Sequence, residues 1–184
     1  MIKEIYSFIP EILFDEIGIR KSQGLDKVVK LMRAIEYHSE NPESNSPYKF
    51  EELLTDAFNY FIDVEAAWRG GAGRTDVECV YLVDSSKFCI DGKSTSKKLA
   101  QLNAGRLRLH RRKIGANYTI VVTPRFTPSV LTDIENEDIV VIRSSTFTEY
   151  LYQLVTDKNQ NTSYTPIHSI IKLNKNHYFC FIFY

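Results

Sequence analysis

IDGKST, residues 90–95, is the stretch on which the reading of this chain turns. Its last four letters end like a phosphate-binding loop, G-x-x-x-x-G-K-[ST], in which a glycine-rich turn lets backbone amides wrap phosphate. That pattern needs a glycine at position 87, which is Lys87, and its four loop positions are Phe88, Cys89, Ile90 and Asp91. Three of these are apolar strand formers, and the fourth would set a carboxylate against phosphate. The nucleotide-loop reading fails. What remains is a strand running into Asp91-Gly92-Lys93, with Asp91 and Lys93 on one face because strand side chains alternate.

Taken alone, an Asp-x-Lys is most simply an exposed ion pair. The neighbouring sequence gives it more meaning. DVECVYLV (76–83) and KFCIDGKS (87–94) are short and rich in β-formers, with DSS as the turn, so they predict a hairpin. Asp76 opens the first of these strands directly after GGAGRT, and the hairpin brings it to the same end of the sheet as Asp91. A helix is predicted from YKFEELLTDAFNYFI (48–62), where Phe50, Leu53, Leu54, Ala57, Phe58 and Phe61 form an apolar stripe. Glu51 on that helix is a third carboxylate for the site. Glu52 is adjacent, and the position directly after Phe50 favours Glu51. Carboxylates converging without thiols or imidazoles make a hard oxygen site suited to Mg²⁺ rather than zinc. With Lys93 beside it, such a site is fitted to phosphodiester hydrolysis.

The rest of the chain supplies the frame. GLDKVVKLMRAIEYHSEN places Leu25, Val28, Val29, Met32 and Ile35 at helical spacing, within a helical N-terminal extension over 1–46 that ends in the polar NPESNSP. After the hairpin, KKLAQLNAGRLRLHRRKIG (97–115) predicts a basic helix closed by Gly115. YTIVVTP (118–124) is a nearly continuous apolar run, as expected for a strand covered on both faces, and DIVVIRS (138–144) is another. TFTEYLYQLV returns to helix. The expected architecture is α/β, a mixed central sheet flanked by helices. The segment 156–184 ends in the aromatic NHYFCFIFY, which reads as a strand or a docking element rather than a solvated tail.

The order of these elements resembles the PD-(D/E)xK nuclease superfamily over about residues 47–155. Within it, the chain is similar to the cleavage domains of type IIS restriction endonucleases and to the small subunits of heterodimeric ones. The resemblance implies a three-layer α/β/α restriction-endonuclease-like fold and a Mg²⁺-dependent DNA endonuclease. It makes Asp76 the first aspartate, with Thr75 where many members have proline, Asp91 the second acidic residue, Lys93 the lysine and Glu51 the helix carboxylate. Gln101, on the basic helix, becomes a candidate to support the lysine or water. The implied partners are double-stranded DNA and a larger recognition or cleavage subunit, or a second copy of the chain, since no zinc finger or helix-turn-helix is legible. The N-terminal helices and the aromatic tail are candidate docking surfaces. The rival expectations are a DNA- or protein-binding module that keeps the fold without cleaving, and a nuclease for branched DNA or RNA.

Between Lys97 and Lys113 lie seven Lys or Arg residues and no acidic one, in a chain of 184 residues with net charge zero. A one-signed run directly after the active strand is the footprint expected of phosphate-backbone contacts. Lys97, Lys98, Arg108 and Arg112 are the candidates, and Gln101, Gly105, Arg108 and Arg112 would share a helical stripe. The four histidines are scattered and form no ligand set, Trp68 reads as packing, and Asp84 reads as a turn residue. Three cysteines without a CxxC pair argue against a disulfide or zinc framework. With no signal-peptide order near the N-terminus and no long apolar run, the expected location is the cytoplasm, away from membranes.

Overall fold

The computed structural model describes residues 23–42, 48–71, 75–156 and 162–173. Helix α1 (Gln23–Glu40) buries Val28 and Ile35, two of the positions that its helical periodicity marks. Helix α2 (Lys49–Phe58) buries Phe50, Leu53, Leu54, Ala57 and Phe58, the predicted stripe. It stops short of the predicted end at 62. The Asn59 side chain exchanges two hydrogen bonds with the backbone of Ala66, donating at 3.0 Å and accepting at 2.9 Å. That local bonding replaces the next helical turn and seats β1 (Val64–Trp68), a strand that the sequence pattern did not announce.

Strands β2 (Val77–Tyr81) and β3 (Ser86–Gly92) form the predicted antiparallel hairpin, with Val77 opposite Ile90 and Tyr81 opposite Ser86. Asp84 shapes its turn by accepting from the Ser86 N–H at 2.9 Å, the role expected of it. Helix α3 (Ala104–Lys113) crosses to β4 (Tyr118–Thr123), and α4 (Pro128–Asp133) crosses to β5 (Ile139–Arg143). Helices α5 (Ser144–Thr156) and α6 (Thr165–Leu173) follow. The sheet order is β1-β2-β3-β4-β5, antiparallel up to β3 and parallel beyond it. Every residue of β4 is buried, as its unbroken apolar run predicts for a strand covered on both faces.

Alternation along the strands divides the core. Phe88, Ile90, Ile120, Val122 and Ile142 face α2, α5 and α6, while Val121, Ile139 and Val141 face α3 and α4 with Leu107 and Val130. This is the expected α/β/α layering. On the first face Phe58 stacks on Phe147 at 4.9 Å between ring centroids, and Phe88 stacks on Tyr164 at 4.8 Å. Truncating Phe58 to alanine leaves a cavity beneath four aromatic partners and is expected to cost about 3–5 kcal/mol. For a chain of this size that is a fall of roughly 10 °C or more in melting temperature, checked by thermal unfolding.

Two expectations need correction or restriction. Helix α3 begins at Ala104, not at Lys97: Asn103 caps it by accepting from the Arg106 N–H at 2.9 Å. The segment before it runs beside 125–127 instead of coiling. Leu99 pairs with Phe126, and the Leu102 N–H donates to Asp133 at 2.7 Å. Lys97, Lys98 and Gln101 therefore lie ahead of the helix, and no stripe joins Gln101 to Arg108 and Arg112. The aromatic tail and residues 1–22 lie outside the described residues. Helix α1 packs on α5, where Thr148 donates to the Glu36 carboxylate at 2.6 Å and Ser39 bonds Ser144 at 2.9 Å. Among the described residues, no helix is long and apolar enough to cross a membrane.

Candidate functional site at the end of the hairpin

Asp76 comes one residue before the Val77–Ile90 pair and Asp91 one residue after it, at the same end of the hairpin and close enough for the charge of Asp91 to act on Asp76. Asp76 lies just before β2, and its carboxylate accepts from the Gly92 N–H at 2.8 Å. Its backbone carbonyl accepts from the N–H groups of Arg69 and Gly70, at 2.9 and 3.3 Å. Thr75, in the position that many resembling nucleases give to proline, is buried and donates to the Ile90 carbonyl at 3.3 Å across the hairpin. Asp91 is 1% exposed and forms an ion pair with the Lys93 ammonium. Lys93 extends the parallel ladder, its N–H donating to Val122 at 2.8 Å, which fixes the base of the side chain. Gly92 between them faces α2. A Cβ there would approach Phe50 to 3.0 Å and Leu54 to 3.2 Å, so the absence of a side chain lets the helix close on the strand.

That closeness brings in Glu51, in the first turn of α2. Its carboxylate accepts from the Trp68 indole N–H at 2.9 Å. Glu52 points elsewhere and is paired with Lys49 at 3.1 Å. The two glutamates are thus told apart: Glu51 is the one near the aspartates.

Three carboxylates here face one ammonium, and the imbalance registers at Asp76 and Glu51. Burial, and then the charges of Asp91 and Glu51, push Asp76 up to about 7, against the pull of Lys93 and the Gly92 N–H. Burial also raises Glu51, opposed by its bond from Trp68 and reinforced by Asp91. Surplus negative charge on hard oxygen donors fits a divalent cation such as Mg²⁺. As they stand, the side chains are engaged with Gly92, Lys93 and Trp68, and among the described residues no three carboxylate, thiol or imidazole groups are placed so as to hold a metal ion together.

The other candidates divide. Gln101 is exposed, ahead of α3. Lys97 and Lys98 are exposed on the segment that leaves the site, and Arg112 is exposed on α3. Arg108 is bonded to Glu137 at 2.7 Å, and Arg111 is buried, holding Asp138 through its carbonyl at 2.7 Å and its carboxylate at 2.9 Å. Arg111 therefore joins α3 to β5. Two residues that sequence reasoning set aside lie near the carboxylates. Trp68 holds Glu51. His110 is buried, lowered by burial and by Arg106, and close enough to Asp91 and Lys93 for their charges to act on it. Neither had a local signal, since only the pairing of β1 and the start of α3 at Ala104 bring them there.

Over 172 residues the chain is 51% identical to the type II restriction enzyme HgaI of Avibacterium volantium, covering 94% of this chain and 35% of that protein. It thus spans about a third of the length of this curated relative. Its fold resembles the solved structure of the restriction endonuclease FokI, with a TM-score of 0.56 at 11% identity, covering 82% of this chain and 33% of that one. A structure of FokI bound to DNA matches similarly, with a TM-score of 0.55 at 12% identity over 84% of this chain and 33% of that one. No protein-family model matches the chain. The resemblance to type IIS restriction nucleases read from the order of motifs holds, and the fold is restriction-endonuclease-like.

Proposed function

We propose that this chain is the strand-cleaving part of a type IIS-like restriction endonuclease, hydrolysing phosphodiester bonds of double-stranded DNA in the cytoplasm with Mg²⁺. The observation that carries the reading is the meeting of Asp76 and Asp91 across the hairpin end. Lys93 is paired to Asp91 there, and Glu51 adds a surplus negative charge. Half of the residues compared are identical to those of a restriction enzyme, which supports the same reading.

In this proposal Asp76, Asp91 and Glu51 hold the ion. Bound there, Mg²⁺ supplies Lewis acidity at the scissile phosphate and makes water a stronger nucleophile. The protein's own groups do the rest. Asp91 keeps the Lys93 ammonium at the site, where its charge offsets that of the phosphate. Lys97 and Lys98, on the segment leaving the site, and Arg112 on α3 hold the DNA backbone. Arg108 joins them by releasing Glu137, and Gln101, exposed ahead of α3, is kept as the candidate that supports the lysine or water. The target sequence is chosen by protein beyond these 184 residues, in a larger subunit or a further region, and cutting both strands calls on that protein or on a second copy.

The test is supercoiled plasmid with Mg²⁺ or with EDTA, using the chain alone and together with any recognition protein encoded beside it. Nicking or linearisation in Mg²⁺ alone supports the reading. DNA retention without cleavage under every condition gives it up in favour of a binding module. Reversing Lys97 and Lys98 to glutamate is expected to weaken binding across all sequences. It should also lower the slope of log K against log salt by about 2, as measured by titration at several ionic strengths.

A further inference from the structure

Trp68 is 42% exposed, so the hydrophobic effect accounts poorly for its position. Its surroundings account for it better. It ends β1 opposite Val77, one residue from Asp76, and its indole Nε1–H donates to Glu51 Oε2 at 2.9 Å. The Tyr48 ring meets the indole edge-on at 5.8 Å between centroids. Gly70, with φ at +41°, lies against the ring: a Cβ there would fall 2.6 Å from Cζ2 and 2.8 Å from Cε2. No side chain fits at position 70 with the indole in place, and that backbone conformation itself favours glycine. The N–H groups of Arg69 and Gly70 clasp the Asp76 carbonyl. One short segment, 68–70, thus fixes Glu51 through a side chain and Asp76 through the backbone.

We propose that Trp68 is a positioning residue of the metal site. Its indole N–H holds one oxygen of Glu51 and leaves the other to a divalent cation shared with Asp76 and Asp91. The inference rests on the metal-nuclease reading above. A hydrogen bond from outside the ligand set orients a carboxylate ligand and removes rotamer freedom that binding would otherwise have to freeze. Loss of such a partner typically weakens metal affinity about 10–100-fold.

Trp68 is the only tryptophan in the chain, so its indole N–H gives a single resonance in the ¹⁵N-labelled protein. Titrating the full chain with MgCl₂ is expected to shift that resonance saturably, and Asp91→Asn should abolish the shift. Calorimetric titration of Trp68→Phe with Mg²⁺ should show at least about tenfold weaker binding, while the melting temperature in EDTA changes little. Gly70→Ala, which keeps the indole but displaces it, should move the resonance and weaken Mg²⁺ in the same direction. If the wild type binds no Mg²⁺, the metal reading itself falls. If it binds Mg²⁺ and Trp68→Phe binds equally well, only the positioning role is overturned. Should Trp68→Phe melt without cooperativity, the other two measurements decide: a wild-type indole resonance indifferent to saturating Mg²⁺, or wild-type affinity in Gly70→Ala, overturns it.

Discussion

Replacing Asp91 by asparagine is expected to slow plasmid cleavage by at least about 10³-fold while the protein still retains DNA. Asp91 is almost wholly buried, it is the partner of Lys93, and its charge acts on both Asp76 and Glu51. Asparagine keeps the shape and an acceptor but removes the charge. The proposed ion then loses a ligand, and the ammonium loses what holds it at the phosphate. The exposed Lys97 and Lys98 are untouched, so DNA retention separates loss of chemistry from loss of binding. Stability should change modestly, because Lys93 is 26% exposed and reaches solvent once released, unlike a cation trapped in a core. Cleavage within tenfold of wild type, measured as initial nicking rate in Mg²⁺, would remove Asp91 from the chemistry.

How much of this was legible before folding depends on how far apart the interacting groups lie in sequence. The hairpin was, because alternation and a turn signal act over a few residues, and they sufficed to bring Asp76 and Asp91 to the same end of the sheet. Strand β4 was, because burial on both faces demands an unbroken apolar run. Strand β1 was not. VEAAW has few β-formers and becomes a strand because β2 offers it an edge and Asn59 ends the helix before it. Missing β1 meant reading Trp68 as packing. The basic run misled in another way, since its periodicity over 97–103 suits a helix, but Phe126 and Asp133 offer the backbone better-placed partners. Single-signed charge also concealed Arg111, whose acidic partner Asp138 arrives from the far side of β4.

The second large effect has the opposite sign from the first. Asp76→Asn should abolish cleavage yet make the metal-free protein more stable at pH 8. The folded state raises Asp76 from 3.8 to about 7, so between those values the native protein binds a proton that the unfolded chain does not. Stability therefore falls as pH rises through that window, and the full penalty applies above it, on the order of 2–4 kcal/mol. Asparagine stays uncharged and can still accept from Gly92. In EDTA, its melting temperature should match that of wild type near pH 4 and exceed it by roughly 5–10 °C at pH 8. Saturating Mg²⁺ should reverse the order, because a bound ion stabilises only the protein that keeps its carboxylate. Parallel melting curves for the two proteins from pH 4 to 8 in EDTA would show that burial and the neighbouring carboxylates do not raise Asp76. Curves that diverge in EDTA and change order in Mg²⁺ would mean that burial and the neighbouring carboxylates destabilise the hairpin end until a cation is bound.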